Sequence, residues 1–253
     1  MKPLLLAMEP LKIDFHIHTR EDPKDRISYS AFDLVDMSQL RGFDALAITN
    51  HETVTYSSYL RDYAKERGII ILPGVEATIE DKHIILINFS FKEGSFHSLS
   101  DILKKKDLQN LVIAPHPFFP GAHSLDGKLE ANWVLFDGIE YCHFYSRYIN
   151  YNTKAVELAK RYNLPLIATS DAHTVEQIGL AYSLVEAEKD MESIILAVKE
   201  GKVVPVSEPL SMASLIRILV KALPQKPLTK EGVQELILLL TAKFFKTLVF
   251  RNP

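Results

Sequence analysis

The sequence predicts an α/β barrel, and three observations carry that expectation. Short apolar runs alternate with helix-like stretches along most of the chain, the pattern of repeated βα units. The runs end in metal-competent residues drawn from most of the chain: Ile13-Asp14-Phe15-His16-Ile17-His18-Thr19, Asn50-His51, Gly74-Val75-Glu76, Pro115-His116-Pro117 and Ser170-Asp171-Ala172-His173. An open doubly wound sheet concentrates ligands at one switch point, whereas a barrel collects them from the carboxyl ends of strands all round. Finally, 253 residues with 47% apolar content and no low-complexity segment can bury a full core as one catalytic domain. Neither a GxGxxG nor a P-loop is present to argue for an open nucleotide-binding sheet.

The first strand is the run ending at His16-x-His18. A charged loop (19–27) follows, and Ser30 is placed to cap a helix over 31–40 that buries Phe32, Leu34, Val35 and Leu40. Residues 44–49 form a second strand, 59–67 a second helix closed by Gly68, and 69–72 a third strand leading to Glu76. The almost wholly apolar 83–89 reads as a strand covered on both faces, unusual in carrying its histidine near the start. Strands are expected at 111–114, 138–141 and 164–169, with a helix over 151–162, so that βα alternation holds throughout; 181–185 adds a last strand and 191–199 a helix stopping at Gly201.

From Ser211 the chain changes character, with seven Lys/Arg against two Glu, while the remainder carries 22 basic against 30 acidic residues. Helices are expected at 215–223 and 233–250, separated by Pro224 and Pro227, with Thr229 capping the second. The second is too apolar for one narrow stripe, and Lys243 and Lys246 argue against its spanning a membrane. The expectation is burial against protein, within the chain or across a homo-oligomer.

The net charge of −3 gives no electrostatic case for nucleic acid as the main partner. Cys142 is the only cysteine, which excludes an internal disulfide and a thiolate zinc site and points to a cytoplasmic setting and His/carboxylate chemistry. Leu4 to Ala7 is too short for a signal h-region, and no run reaches the length of a transmembrane helix.

Two histidines one residue apart on a strand share a face with Cα atoms about 7 Å apart, a geometry that suits one metal ion. A carboxylate can bridge two cations, which makes Glu76 a sensible shared ligand, and neutral imidazoles fix the ions without cancelling their charge. His97 and His123, in polar or Gly-flanked loops, read as surface residues. His143, following the sixth strand, is a candidate substrate contact, and Arg20 and Arg147 are candidate phosphate clamps.

The ordered set His16-x-His18, His51, Glu76, His83, His116, Asp171-x-His173 resembles the polymerase and histidinol phosphatase (PHP) family over about residues 11–206. The resemblance implies a distorted (β/α)7 TIM-like barrel, followed here by a helical extension over 207–253. It implies two or three divalent metals (zinc, manganese or iron) and hydrolysis of phosphate esters. Position by position, it implies that His16, His18, Glu76 and Asp171 surround one metal, that Glu76 bridges to a second held by His83 and His116, and that His51 and His173 hold a third. Relatives often add an Asp from a Ser-Asp-Gly segment; this chain reads Glu21-Asp22-Pro23-Lys24-Asp25, with Asp22 ranked ahead of Asp25.

The leading expectation is thus a metal-dependent phosphoesterase acting on a small phosphate ester, a nucleotide or a short oligonucleotide. Two alternatives stand beside it. One is an amidohydrolase-like hydrolase, which would want a bridging lysine where Glu76 stands; the other is a non-catalytic scaffold or RNA-binding subunit of the ribonuclease P protein type, in which the ligands should have eroded.

Overall fold

The computed structural model describes residues 9–222, with side chains to residue 218. It divides into two compact units: the residues up to His143 together with Tyr151–Pro209, and Phe144–Asn150 together with the residues from Leu210.

In the first unit a single sheet curls into a nearly closed barrel. Its strands are β1 (Leu11–Ile17), β2 (Ala45–Ile48), β3 (Ile70–Ile79), β4 (Lys82–Ile87), β5 (Leu111–Ala114), β6 (Gly138–Cys142), β7 (Leu166–Thr169), β8 (Ala181–Val185) and β9 (Val203–Ser207), in spatial order β7-β6-β5-β4-β3-β2-β1-β8-β9. The ends of β7 and β1 come together: Ile17 and Ala172 form a parallel bridge, and the Asp171 amide donates to His16 O at 2.9 Å. Ser183 of β8 also donates to Ala168 O of β7 at 3.0 Å, tying the antiparallel pair β8–β9 to the other side of the gap.

Helices α1 (Ala31–Leu40), α2 (Ser58–Glu66), α3 (Leu99–Lys105), α4 (Gly127–Ala131), α5 (Thr153–Tyr162) and α6 (Met191–Lys199) complete this unit. Ser30 caps α1 as expected and forms a capping box with Asp33, so two amides at the helix start find partners. The strands are apolar on both faces because both are covered. Ile13, Phe15, Leu72, Ile85 and Ile113 fill one cluster with Ile194, Ile195 and Val198 of α6. Their alternating neighbours Leu46, Ile48 and Ile71 pack with Leu34 and Val35 of α1 and Leu60 of α2. Each such fully buried side chain contributes about 1.5–3 kcal/mol relative to exposure.

The expected alternation fails between β7 and β8, where no helix intervenes and β8 runs antiparallel to β1, and between β3 and β4. β3 and β4 are joined by a hairpin at Glu80-Asp81, both with positive φ, so no helix intervenes and β4 runs antiparallel to β3 and to β5. That reversal explains the oddly placed histidine: Thr78 pairs with His83, so the start of β4 lies at the end of the barrel where its neighbours finish. Three elements were absent from the expectation: α3, whose Ser98-x-x-Asp101 box is in the sequence, the five-residue α4, and β9. β9 pairs only with β8 and carries Pro205, which an edge strand tolerates.

In the second unit the Leu210 amide donates to Tyr145 O at 2.8 Å, and α7 (Met212–Ala222) begins three residues before the expected 215. The helix expected at 233–250 lies outside the described residues. Among the described residues no helix is long and apolar enough to cross a membrane.

Candidate metal centre

Apart from Glu76, which lies within β3, the expected ligands sit near a strand end or in the loop that follows; the reversed β4 contributes its start instead. β1 carries His16 and delivers His18. Their Nε2 atoms lie 3.1 Å apart and both rings are fully buried. Each Nε2 is also 3.3 Å from Asp171 Oδ1, and they are 3.4 and 3.3 Å from Glu76 Oε2. Donors bonded to one cation at about 2.0–2.2 Å stand roughly 3.0–3.6 Å from one another, so this quartet has the spacing of a coordination shell.

Glu76 is the hinge of the arrangement. It enters mid-strand in β3, 1% exposed, and its two oxygens address different groups. Oε2 faces His16, His18 and, at 3.2 Å, His51 Nε2; Oε1 lies 2.8 Å from His83 Nδ1 and 3.0 Å from His116 Nε2. His83 Nδ1 is buried yet out of line for a hydrogen bond to that oxygen, as suits a lone pair aimed at a cation. Gly74 makes this placement feasible: a Cβ there would meet Thr49 Cγ2 at 2.9 Å and Ile48 O at 3.0 Å, so β2 and β3 approach closely two residues before Glu76.

A third group collects His51, Asp22, Asp25 and His173. Asp22 Oδ2 accepts from His18 Nδ1 and His51 Nδ1, each at 2.9 Å, and from the His51 amide at 2.8 Å, while Oδ1 accepts from the amides of Lys24 and Asp25. Both its oxygens are therefore engaged in holding two histidines and a loop. Asp25 Oδ2 instead lies 3.2 Å from His173 Nε2 and 3.4 Å from His51 Nδ1, and is partly exposed. Asp22 thus holds the two histidines and the loop, Asp25 faces the pair His51 and His173, and both belong with His51 to one set of closely spaced donor atoms.

Burial opposes charge on Glu76, Asp171, His16 and His18, but opposite partners outweigh it. Glu76 and Asp171 are held well below the usual carboxylate range by the imidazoles around them, and His16 and His18 well above the usual imidazole range by Asp171, Glu76, Glu140 and Asp22. The His83 imidazole is pushed down by burial. Two protonated imidazoles with Nε2 atoms 3.1 Å apart repel, whereas one divalent cation satisfies the same carboxylates and both lone pairs. Four overlapping sets have donor atoms within 4.8 Å of one another: His16/His18/Asp171, His18/His51/Glu76, Glu76/His83/His116 and Asp22/Asp25/His51. The donor set fits divalent metal ions.

Two residues carry a role that the sequence reading left unassigned. Glu140, fully buried on β6, places Oε2 3.2 Å from His16 Nδ1 and accepts the His116 amide at 2.8 Å, while Oε1 accepts from Thr169. Asp14 accepts the amides of His16 and Ser170, and burial pushes its carboxyl up to about 7. Their signal was present: each is a lone carboxylate inside an apolar strand, where it costs free energy unless paired. Backbone geometry marks the site too, since His116 (φ 27°) and Asp171 (φ 43°) both sit in the left-handed region that ordinary residues avoid.

The remaining candidates fall elsewhere. His143 is 3% exposed with Nε2 3.3 Å from the Gln177 amide nitrogen, which leaves little surface for a substrate. Gln177 Oε1 in turn accepts the His173 amide, so His143 supports the His173 turn. Arg20 donates to Ser28 O and faces Asp33 at 3.6 Å on the exposed side of the loop. Arg147 is exposed in the second unit. His97 and His123 are exposed or nearly so.

The barrel gathers histidines and carboxylates at one end, the arrangement that the resemblance to the PHP family implies. The comparisons agree. The PHP-associated family model matches residues 150–203. The protein MJ1587 of Methanocaldococcus jannaschii, itself named uncharacterized, is 26% identical over 147 residues, covering 54% of this chain and 84% of that one. A PolC-type DNA polymerase III of Thermotoga petrophila is 30% identical over 93 residues, which is 36% of this chain and 7% of the polymerase. Among solved structures, PsfC from Pseudomonas syringae PB-5123 superimposes with a TM-score of 0.56 at 18% identity, over 85% of this chain and 97% of that one. The lesion-specific endonuclease PfuEndoQ from Pyrococcus furiosus does so with 0.54 at 14% identity, over 83% and 66%. Fold, ligand pattern and family match together bear out the resemblance to the PHP family.

Proposed function

We propose that the chain is a metal-dependent phosphoesterase that hydrolyses a small phosphate ester, a nucleotide or a short oligonucleotide. The observation that carries this reading is Glu76, whose two oxygens face two separate groups of imidazoles within 3.4 Å. Residues His16, His18, Glu76 and Asp171 would hold one ion, Glu76, His83 and His116 a second, and His51, His173 and Asp25 a third. Divalent ions there would acidify a water toward hydroxide and stabilise charge building on the phosphoryl oxygens. The chain's own part is orientation. Glu140 faces His16 Nδ1 and Asp22 accepts from His18 Nδ1, which fixes each ring with Nε2 turned inward. Glu76 and Asp171, kept ionised, supply the negative charge that binds the cations.

No protein nucleophile is needed, and a scaffold that bound no metal would gain nothing from gathering Glu76 and Asp171 among six histidines. The test uses the intact chain, stripped by chelator and resupplied with zinc, manganese or iron, against phosphomonoesters and phosphodiesters. Hydrolysis of one class that returns only with added metal is expected. No turnover of either class with any of the three metals would overturn the reading.

A further inference from the structure

The loop after His116 contains a residue that composition alone places on the surface, and its position is more specific than that. His123 is exposed, yet its ring lies flat on the ring of His83, with centroids 4.5 Å apart and planes within 1°. Three backbone-linked contacts hold the pair in register. The His83 amide donates to His123 O at 3.0 Å, His123 Nδ1–H donates to Asp81 O at 3.1 Å, and Lys82 Nζ donates to Ala122 O at 2.9 Å. The next residue, Ser124, donates its hydroxyl to His116 O and Phe119 O. One short loop is thereby bolted both to the hairpin that presents His83 and to the turn that presents His116.

His83 lacks the kind of orienting partner that several of the other histidines have. Glu140 faces His16 Nδ1, Asp22 faces the Nδ1 atoms of His18 and His51, and His173 Nδ1 lies 2.9 Å from Asp171 O. Among the described residues, the carboxylate near His83 is Glu76 itself, and it sits out of hydrogen-bond line. His51 and His116 meet the His83 ring edge-on, with centroids 5.1 and 5.6 Å away, and the flat face of His123 is the neighbour that lies parallel to it and restricts its swing about χ2.

We propose that His123 is a positioning residue that fixes the plane of the His83 imidazole for the metal shared with Glu76 and His116. This rests on reading those three as ligands. Loss of an orienting partner of this kind typically weakens metal binding by about 10–100-fold, so the stack should act on one metal equivalent and leave the His16/His18 equivalent alone.

The experiment measures stepwise zinc or manganese affinity of the intact chain by competition with a chelator, in wild type, His123→Ala and His123→Phe. His123→Ala is expected to weaken one equivalent by at least about tenfold without changing the others, and His123→Phe, which keeps a flat ring, to recover most of that loss. Unchanged affinities in His123→Ala would overturn the proposal, as would an equal loss in both variants or an equal weakening of every equivalent. Absence of metal binding in the wild type would instead overturn the underlying ligand reading.

Discussion

At the scale of single residues, the centre depends on buried groups whose charge is set by their neighbours. His143 is the clearest case apart from the ligands themselves. Burial pushes its imidazole down to about 4, with Asp171 and Glu140 pulling the other way and not prevailing. The folded pKa is thus below the unfolded value of about 6.5, so the unfolded chain takes up the extra proton first as pH falls. Its contribution to stability is complete above pH 6.5 and is lost as pH drops toward 4, reaching roughly 2 kcal/mol by pH 5. His143→Gln removes this term. Urea midpoints of the two metal-loaded proteins are expected to diverge between pH 7 and pH 5, the wild type falling further; parallel pH profiles would show that His143 does not stay neutral in the fold. The same residue illustrates what a chain position can hide. Its place after β6 suggested a substrate contact, but only packing reveals that it lies beneath the His173 turn.

At the scale of elements, most strands were readable because each is an apolar run covered on both faces and ended by a polar ligand. The reversal of β4 was not readable, since a strand buried on both faces has the same composition in either direction, and only the left-handed pair Glu80-Asp81 records the hairpin. His83 therefore looked misplaced when it was in register. Glu140 and Asp14 were visible as carboxylates in apolar strands, yet His16 lies 124 residues from Glu140 and Ser170 156 residues from Asp14, and no local pattern names these partners. The close approach of β2 and β3 yields a test of how tightly the sheet controls the site. Gly74→Ala places a methyl group 2.9 Å from Thr49 Cγ2 and 3.0 Å from a main-chain oxygen, so the strands must part. A loss of about 1–3 kcal/mol in urea unfolding is expected, together with weaker metal binding because Glu76 moves with its strand. Full metal affinity in a destabilised Gly74→Ala protein would separate the site from the strand spacing and contradict this view.

At the scale of the whole molecule, seven strands of one barrel deliver ligands and their orienting partners to a single end, and no one segment contains a working centre. Up to Leu210 the chain carries 30 acidic against 22 basic residues, and Glu76, Asp171, Asp22, Asp25 and Glu140 are among the acidic ones that converge on this end. Carboxylates gathered this closely are stabilised by cations bound between them. The most direct measurement is the metal content of the intact chain after loading with divalent ion and removal of excess, set beside Glu76→Gln. The account predicts two or three equivalents in the wild type and at most one in the variant, because a neutral amide replaces the anion between two cations. A wild type that retains no metal, or a Glu76→Gln protein that retains every equivalent, would contradict it.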